Sequence, residues 1–167
     1  LYFSVLAPLA EQQHLSSTSS TGRTDLWKVG LNMFAANPVF GVGEGNFQAA
    51  EVHYVEQSGP LTRADLIVDT PKVTHNQYLN VLDELGVPGL LFFLCVVGAS
   101  LGAAIRAAGR YEQAGDVGFE VISRMLVLAI VGVLAADVFI SDQYSKQLWL
   151  LLALPAPLLA LAPSGRE

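Results

Sequence analysis

Three long apolar runs after residue 86 constrain this chain more than any other feature. Val87 to Ala107 has no charge before Arg106. The runs 121–140 and 147–162 follow after short polar stretches. Lipid offers no partner to backbone N–H and C=O groups, so a single-chain run of this kind crosses a bilayer as a helix. About 20 apolar residues suffice for that. Charged residues are 14% of the chain and mean hydropathy is +0.45, against about 25% charged in an ordinary soluble domain. The expected fold is an all-α polytopic membrane protein, with a large extracytoplasmic helical loop followed by three transmembrane helices.

The layout follows from the same pattern. Residues 1–10 read as the end of a truncated transmembrane helix, apolar but half the length of a span and without a basic n-region or cleavage site. Residues 11–86 form the loop region, with short helices at about 23–36, 47–57 and 74–85. Spans are expected at 87–107, 121–140 and 147–162, separated by a loop at 108–120 and a turn at 141–146, with a tail at 163–167. Arg106, Arg110, Arg124 and Arg166 gather on one side, which the positive-inside rule makes cytoplasmic. The 11–86 region then lies outside, in the periplasm if the cell has one. The chain reads as the C-terminal part of a longer protein.

Several function classes drop out. A net charge of −6 argues against nucleic acid as a partner. The single cysteine, Cys95, has neither a disulfide partner nor companions for a zinc site. No metal site and no cofactor are expected.

The loop region carries the candidate chemistry. Arg23 opens the helix at 23–36, where dipole logic prefers an acid. Either it shares a bound anion with the helix N–H groups or it is a solvated surface arginine. Asn37-Pro38 stops that helix, because the residue before proline avoids helical backbone. Gly41, Gly43 and Gly45 then alternate, but Asn46 stands where a dinucleotide fingerprint needs glycine and no strand precedes. The glycines read as a tight turn, with Asn46 capping the next helix. His53, Glu51 and Glu56 read as a solvated helix face. Arg63 and Lys72 are the cations of the loop at 58–73.

The segment Thr74-His75-Asn76-Gln77-Tyr78-Leu79 opens the helix at 74–85. Thr74 and Gln77 have the spacing of a capping box, which puts His75 at the first helical position. There the dipole opposes protonation of the imidazole and attracts anions. His75 is either a neutral general base or a polar residue that merely starts a helix. Tyr78, Leu79, Leu82 and Leu85 share a face, and Asn80, Asp83 and Glu84 point elsewhere. Asp137, near the outer end of the second span, is an intramembrane acid and so a functional candidate. Asp142 and Tyr144 read as interfacial residues.

Four stretches in this order carry a resemblance. Ser20-Thr21-Gly22-Arg23 with Trp27, then Asn37-Pro38-Val39-Phe40-Gly41-Val42-Gly43-Glu44-Gly45-Asn46-Phe47, then His75-Asn76-Gln77-Tyr78-Leu79, then Glu84-Leu85-Gly86 with Gly89-Leu90-Leu91 resemble the O-antigen ligase and polymerase superfamily over roughly residues 16–95. The resemblance implies a metal-independent, inverting glycosyltransferase of the bacterial inner membrane. It would move a glycan from an undecaprenyl-diphosphate carrier to an acceptor hydroxyl at the periplasmic face. The acceptor would be the lipid A core for a ligase, another glycan for a polymerase, or a protein side chain for an oligosaccharyltransferase. A different class of reading is a transport or scaffold component of polysaccharide export. The resemblance makes Arg23 and His75 the catalytic positions. Lys72, Arg63, Asn76 and Asp137 are candidates for binding the diphosphate or the glycan. Family members carry many more spans than this chain.

Overall fold

The computed structural model describes residues 22–61, 67 and 72–163. Among the described residues every regular element is a helix. Helix α1 covers 22–36, where the sequence predicts 23–36. It buries Leu26, Val29 and Met33; Leu26 and Val29 pack with Ile67, and Tyr54, Val55 and Leu61 close around them. Asn37 N–H bonds back to the Met33 and Phe34 carbonyls, and Pro38 prevents a further turn. Helix α2 (Phe47–Val55) continues into one 3-10 turn, Glu56–Ser58.

Helix α3 (Gln77–Ala114) is a single path with a break at Gly86, whose φ of 67° and ψ of −168° lie outside any helical region. It therefore has a short arm, 77–85, and a long arm, 87–114. Gly115, at φ 74°, ends it. Asp116 then caps α4 (Val117–Ala136) by accepting from Phe119 N–H at 3.2 Å. Ser145 caps α5 (Lys146–Ala153), and α6 (Pro155–Leu161) begins directly after Leu154 with proline in its first turn.

By length and composition α3 and α4 can each cross a membrane. The third apolar run covers 146–161, equal in length to the expected 147–162, and is broken into two pieces at Leu154, as its prolines imply, because Pro155 and Pro157 supply no N–H to the helix ladder. The long arm, α4 and α5 share an apolar cluster of Phe93, Val97, Ile130, Leu148 and Leu152, joined by Val81 from the short arm. At the other end Ala107 and Tyr111 meet Leu158 and Ala162. Small residues make the close approach possible, with Ala104 and Ala107 fully buried. Outward-facing Leu91, Phe92, Ile105, Leu128 and Leu150 are exposed as lipid-facing residues would be.

The short arm is inside out relative to the sequence expectation. Gln77, Asn80, Asp83 and Glu84 are buried along with Val81, whereas Leu85 is exposed and Tyr78 and Leu79 are only half-buried. The polar face is turned toward α1, the glycine turn and the 137–145 loop, all of which offer polar partners. Of its apolar residues only Leu85 is exposed, while Val81 and Tyr78 join the apolar cluster and Leu79 packs near Gly30 of α1.

Candidate active site

The site begins with a clasp around Gly86. Val42 N–H donates to Asp83 O at 2.9 Å, Gly43 N–H to Glu84 O at 2.9 Å, and Val87 N–H to Pro38 O at 2.9 Å. The glycine turn thus lies flat against the break in α3. A Cβ on Gly41 would lie 2.3 Å from the Glu84 carbonyl carbon, and one on Gly86 would lie 2.2 Å from the Val39 oxygen. Both glycines are present because backbone meets backbone there. The turn is occupied in holding α3, as the non-nucleotide reading requires. Asn46 differs from expectation. It precedes α2, but its amide donates to Val42 O at 3.2 Å and makes no cap bond. Glu84 does the capping instead, accepting from Phe47 N–H at 3.2 Å.

Glu84 also accepts a hydrogen bond from Tyr144, whose hydroxyl in turn accepts from Gly45 N–H at 2.8 Å. Tyr144, read from sequence as merely interfacial, is the strut between the 137–145 loop and the clasp. Burial, its bond to Glu84 and the Glu84 charge all push its phenol upward. Next to it Asp83 is fully buried with both carboxyl oxygens unpartnered, packed against Gly30 of α1. Burial, with the Glu84 charge beside it, pushes Asp83 up to about 8, so it is a neutral acid at pH 7.

The segment before α3 departs from the expected capping box. Thr74 is buried, and its hydroxyl is engaged with the Asn76 backbone, donating to the carbonyl at 2.8 Å and accepting from the N–H at 3.3 Å. Gln77 is drawn to the far loop: its Oε1 accepts from Asp142 N–H at 3.2 Å, and its own N–H donates to Asp137 O at 2.9 Å. The cap is Asn76, whose Oδ1 accepts from Leu79 N–H at 2.9 Å. His75 therefore stands outside the helix, with φ of 51°. A left-handed non-glycine residue is uncommon and is held only when its surroundings dictate it.

The charges of Arg23 and Lys72 both act on His75 here. Arg23 and Trp27 are one turn apart on α1 and share a face. The Trp27 indole donates to Thr74 O at 2.9 Å, which fixes that face against His75. Lys72 is held from the other side, its N–H donating at 2.8 Å to Glu51 of α2. Glu51 is buried, contrary to the solvated face expected of it, and burial raises it to about 7 despite the Lys72 bond. His53 and Glu56 are exposed, so the acids and the histidine of α2 do not converge. The His75 imidazole is lowered from the usual histidine value, by burial first and then by the Arg23 and Lys72 cations. Sequence reasoning expected a neutral histidine but traced it to the helix dipole.

Asp137 is the C-cap of α4, beyond its last helical residue at Ala136, where the sequence expectation placed it inside the span. Its backbone touches the first turn of α3 through Gln77, and its side chain is 2% exposed with Oδ2 unpartnered. Tyr78 OH adds a bond to Leu134 O at 2.7 Å. The His75 segment and the end of α4 are therefore one construction. Arg63 lies outside the described residues. Of the other expected site residues, Arg23, Lys72 and His75 are brought together, Asn76 follows directly in the chain, and Asp137 is joined through its backbone.

Two apolar helices long enough to cross a membrane, with His75 under the charges of Arg23 and Lys72 just before the first of them, are those of a helical membrane protein. Residues 1–94, more than half of the chain, match the family model described as O-Antigen ligase, and the chain belongs to that family. No curated protein and no solved structure matches the chain. Membership brings a ligase- or polymerase-type role in glycan assembly, of a general glycosyltransferase-like kind.

Proposed function

We propose that the protein transfers a glycan from an undecaprenyl-diphosphate carrier to an acceptor hydroxyl at the periplasmic face of the inner membrane, in the manner of an O-antigen ligase. What supports this most directly is that the Arg23 and Lys72 charges both act on His75, in a segment fixed by Trp27 on one side and joined through Gln77 to Asp137 at the end of α4 on the other. The leaving group carries two phosphates. Arg23 and Lys72 would stabilise the charge that grows on it as the anomeric C–O bond breaks. The acceptor oxygen bonds the anomeric carbon from the opposite face, which inverts it, and the hydroxyl proton passes to His75. A base of this kind contributes on the order of 10²–10⁴ in rate. No step in this scheme calls on a metal. In this reading the 146–161 segment is a third crossing, and residues 11–86 face the periplasm.

The chemistry serves any hydroxyl acceptor, whether lipid A core, another glycan or a protein side chain. The test is transfer by the intact protein in membranes with undecaprenyl-diphosphate glycan and a panel of acceptors. His75→Ala and Arg23→Ala should each abolish transfer while membrane insertion stays normal. Full transfer by either variant would overturn the roles assigned here.

A further inference from the structure

The glycine turn carries two large apolar side chains that its own bonds do not use. Val39 is 53% exposed and Phe40 84%, the highest value for a large apolar residue among those described. Phe47, from the same segment, is buried. The clasp is made of backbone: the Val42 and Gly43 N–H groups donate to α3 carbonyls, and Pro38 O accepts from Val87 N–H. None of these bonds depends on the side chain at 39 or 40. Turn positions ordinarily hold Gly, Pro, Asn, Asp or Ser. An exposed Val-Phe pair at such a place marks a surface that meets something apolar.

Its place in the fold says what that is. A Cβ on Gly86 would lie 2.9 Å from Phe40 N, and Pro38 O is 2.9 Å from Val87 N. Val39 and Phe40 are therefore pinned beside the first residue of the long apolar arm. Val87, Leu91 and Leu94 of that arm are exposed too, and at spacings of four and three they share one face. From Val29 to Gly43 the sequence holds no charged residue. Apolar surface thus continues from the turn onto the span at Val87. A protein interface closes its apolar centre inside a polar rim. This patch is open on the span side, as a surface facing lipid is. Aromatic and aliphatic side chains at the end of a span lie at the boundary between headgroups and chains.

We propose that Val39 and Phe40 are a lipid anchor, inserted into the leaflet at the His75 end of α3, where headgroups give way to chains. The partner is the bilayer itself. The turn then serves two sides: its backbone holds α3 and its side chains hold the leaflet. The clasp is kept at headgroup level by a contact that lies outside the spans. This rests on the membrane reading alone and stands whether or not the protein transfers a glycan.

Spin labelling tests it on the intact protein in vesicles of phosphatidylethanolamine and phosphatidylglycerol. Cys95, the single cysteine and an exposed one, is first replaced by Ser. A nitroxide is then placed by Phe40→Cys, with Leu128→Cys on the exposed face of α4 and Glu56→Cys beyond α2 as references. Molecular oxygen gathers in lipid and a nickel chelate in water. The label at 40 should favour oxygen, as that at 128 does, and lose the chelate access seen at 56. Chelate access equal to that at 56 overturns the anchor. Shielding from both reagents overturns it too, because a protein partner or a second copy then covers the turn. Phe40→Trp gives a readout without a label. Lipids brominated near the headgroup end of their chains should quench the added emission, and added emission left unquenched contradicts insertion. Phe40 is exposed, so neither substitution removes a core contact.

Discussion

Gly86→Ala is the sharpest test of the clasp. At φ 67° and ψ −168° the backbone occupies a region essentially reserved for glycine, which costs another residue about 1–3 kcal/mol. The added Cβ would also fall 2.2 Å from Val39 O and 2.5 Å from Val39 C. Those are backbone atoms and have no rotamer to escape into. The turn must lift, and the Val87–Pro38 and Gly43–Glu84 hydrogen bonds lengthen with it, at about 1 kcal/mol each. The sum is roughly 3–5 kcal/mol, or a rise in the open population by about two to three and a half orders of magnitude at 1.4 kcal/mol per decade. Hydrogen exchange at the Val42, Gly43 and Val87 amides should accelerate by that factor, while amides deeper in the long arm and those of α4 hold their rates. Gly45→Ala is the matched control. Its φ is 73° but its Cβ would meet nothing within 4 Å, so it pays only the left-handed penalty of about 1–2 kcal/mol. Exchange at Val42 and Val87 that changes less than tenfold in Gly86→Ala, or equally in both variants, would refute the collision argument.

Asp83 should make stability fall as pH rises. Its folded value of about 8 stands above the unfolded 3.8, so its contribution is whole below about pH 4 and is lost on the way to about pH 8. Asp83→Asn should flatten that slope and raise the melting temperature at pH 8; an unchanged slope in thermal melts across pH 5–8 contradicts the buried neutral acid. Lys72→Met removes one of the two cations acting on His75, so the imidazole should titrate at higher pH, closer to 6.5. Labelled-histidine NMR of the intact protein reads this, and a titration point that stays or drops argues against the proximity. Transfer should also survive EDTA; activity lost on chelation and restored by a divalent ion would contradict the metal-free scheme.

What could be read from the sequence was local. The arrest of α1 at Asn37-Pro38, the break at Gly86 and the apolar runs are written in residue type and spacing. A capping box at Thr74 and Gln77 is equally local, yet it does not form. Gln77 has a better partner in the Asp142 backbone, 65 residues away, and Asn76 caps in its place. Glu84 and Tyr144 are 60 residues apart, and periodicity says nothing of such a pair. The same holds for Asp83, Glu84 and Glu51, each assigned to the polar outside by its charge. Where α1, the glycine turn and the 137–145 loop all offer polar partners, the polar face of a short helix can go inward. The neutral state of His75 was legible as an outcome, but its cause needed Arg23 and Lys72 to be placed.

The inward polar face of the short arm also bears on how the protein meets bilayers of different thickness. Gln77, Asn80, Asp83 and Glu84 are locked to groups outside the long arm or buried among them, so α3 cannot slide outward or inward by a turn at that end. The other end is tied mainly by apolar packing of Ala107 and Tyr111 on Leu158 and Ala162 and by the Tyr111 hydroxyl on Leu158 O at 3.1 Å, with no buried polar face like that of the short arm among the described residues. Arg106 and Arg110 have long stems that can follow the headgroups, and Arg124 pairs there with Glu112 and Glu120 on the exposed surface. A thinner or thicker membrane would therefore be accommodated at the arginine end, by tilt and snorkelling. The height of His75 above the lipid would stay constant. In the proposed transferase reading, a lipid-borne diphosphate at the headgroup level would then find the site at the same depth in either membrane.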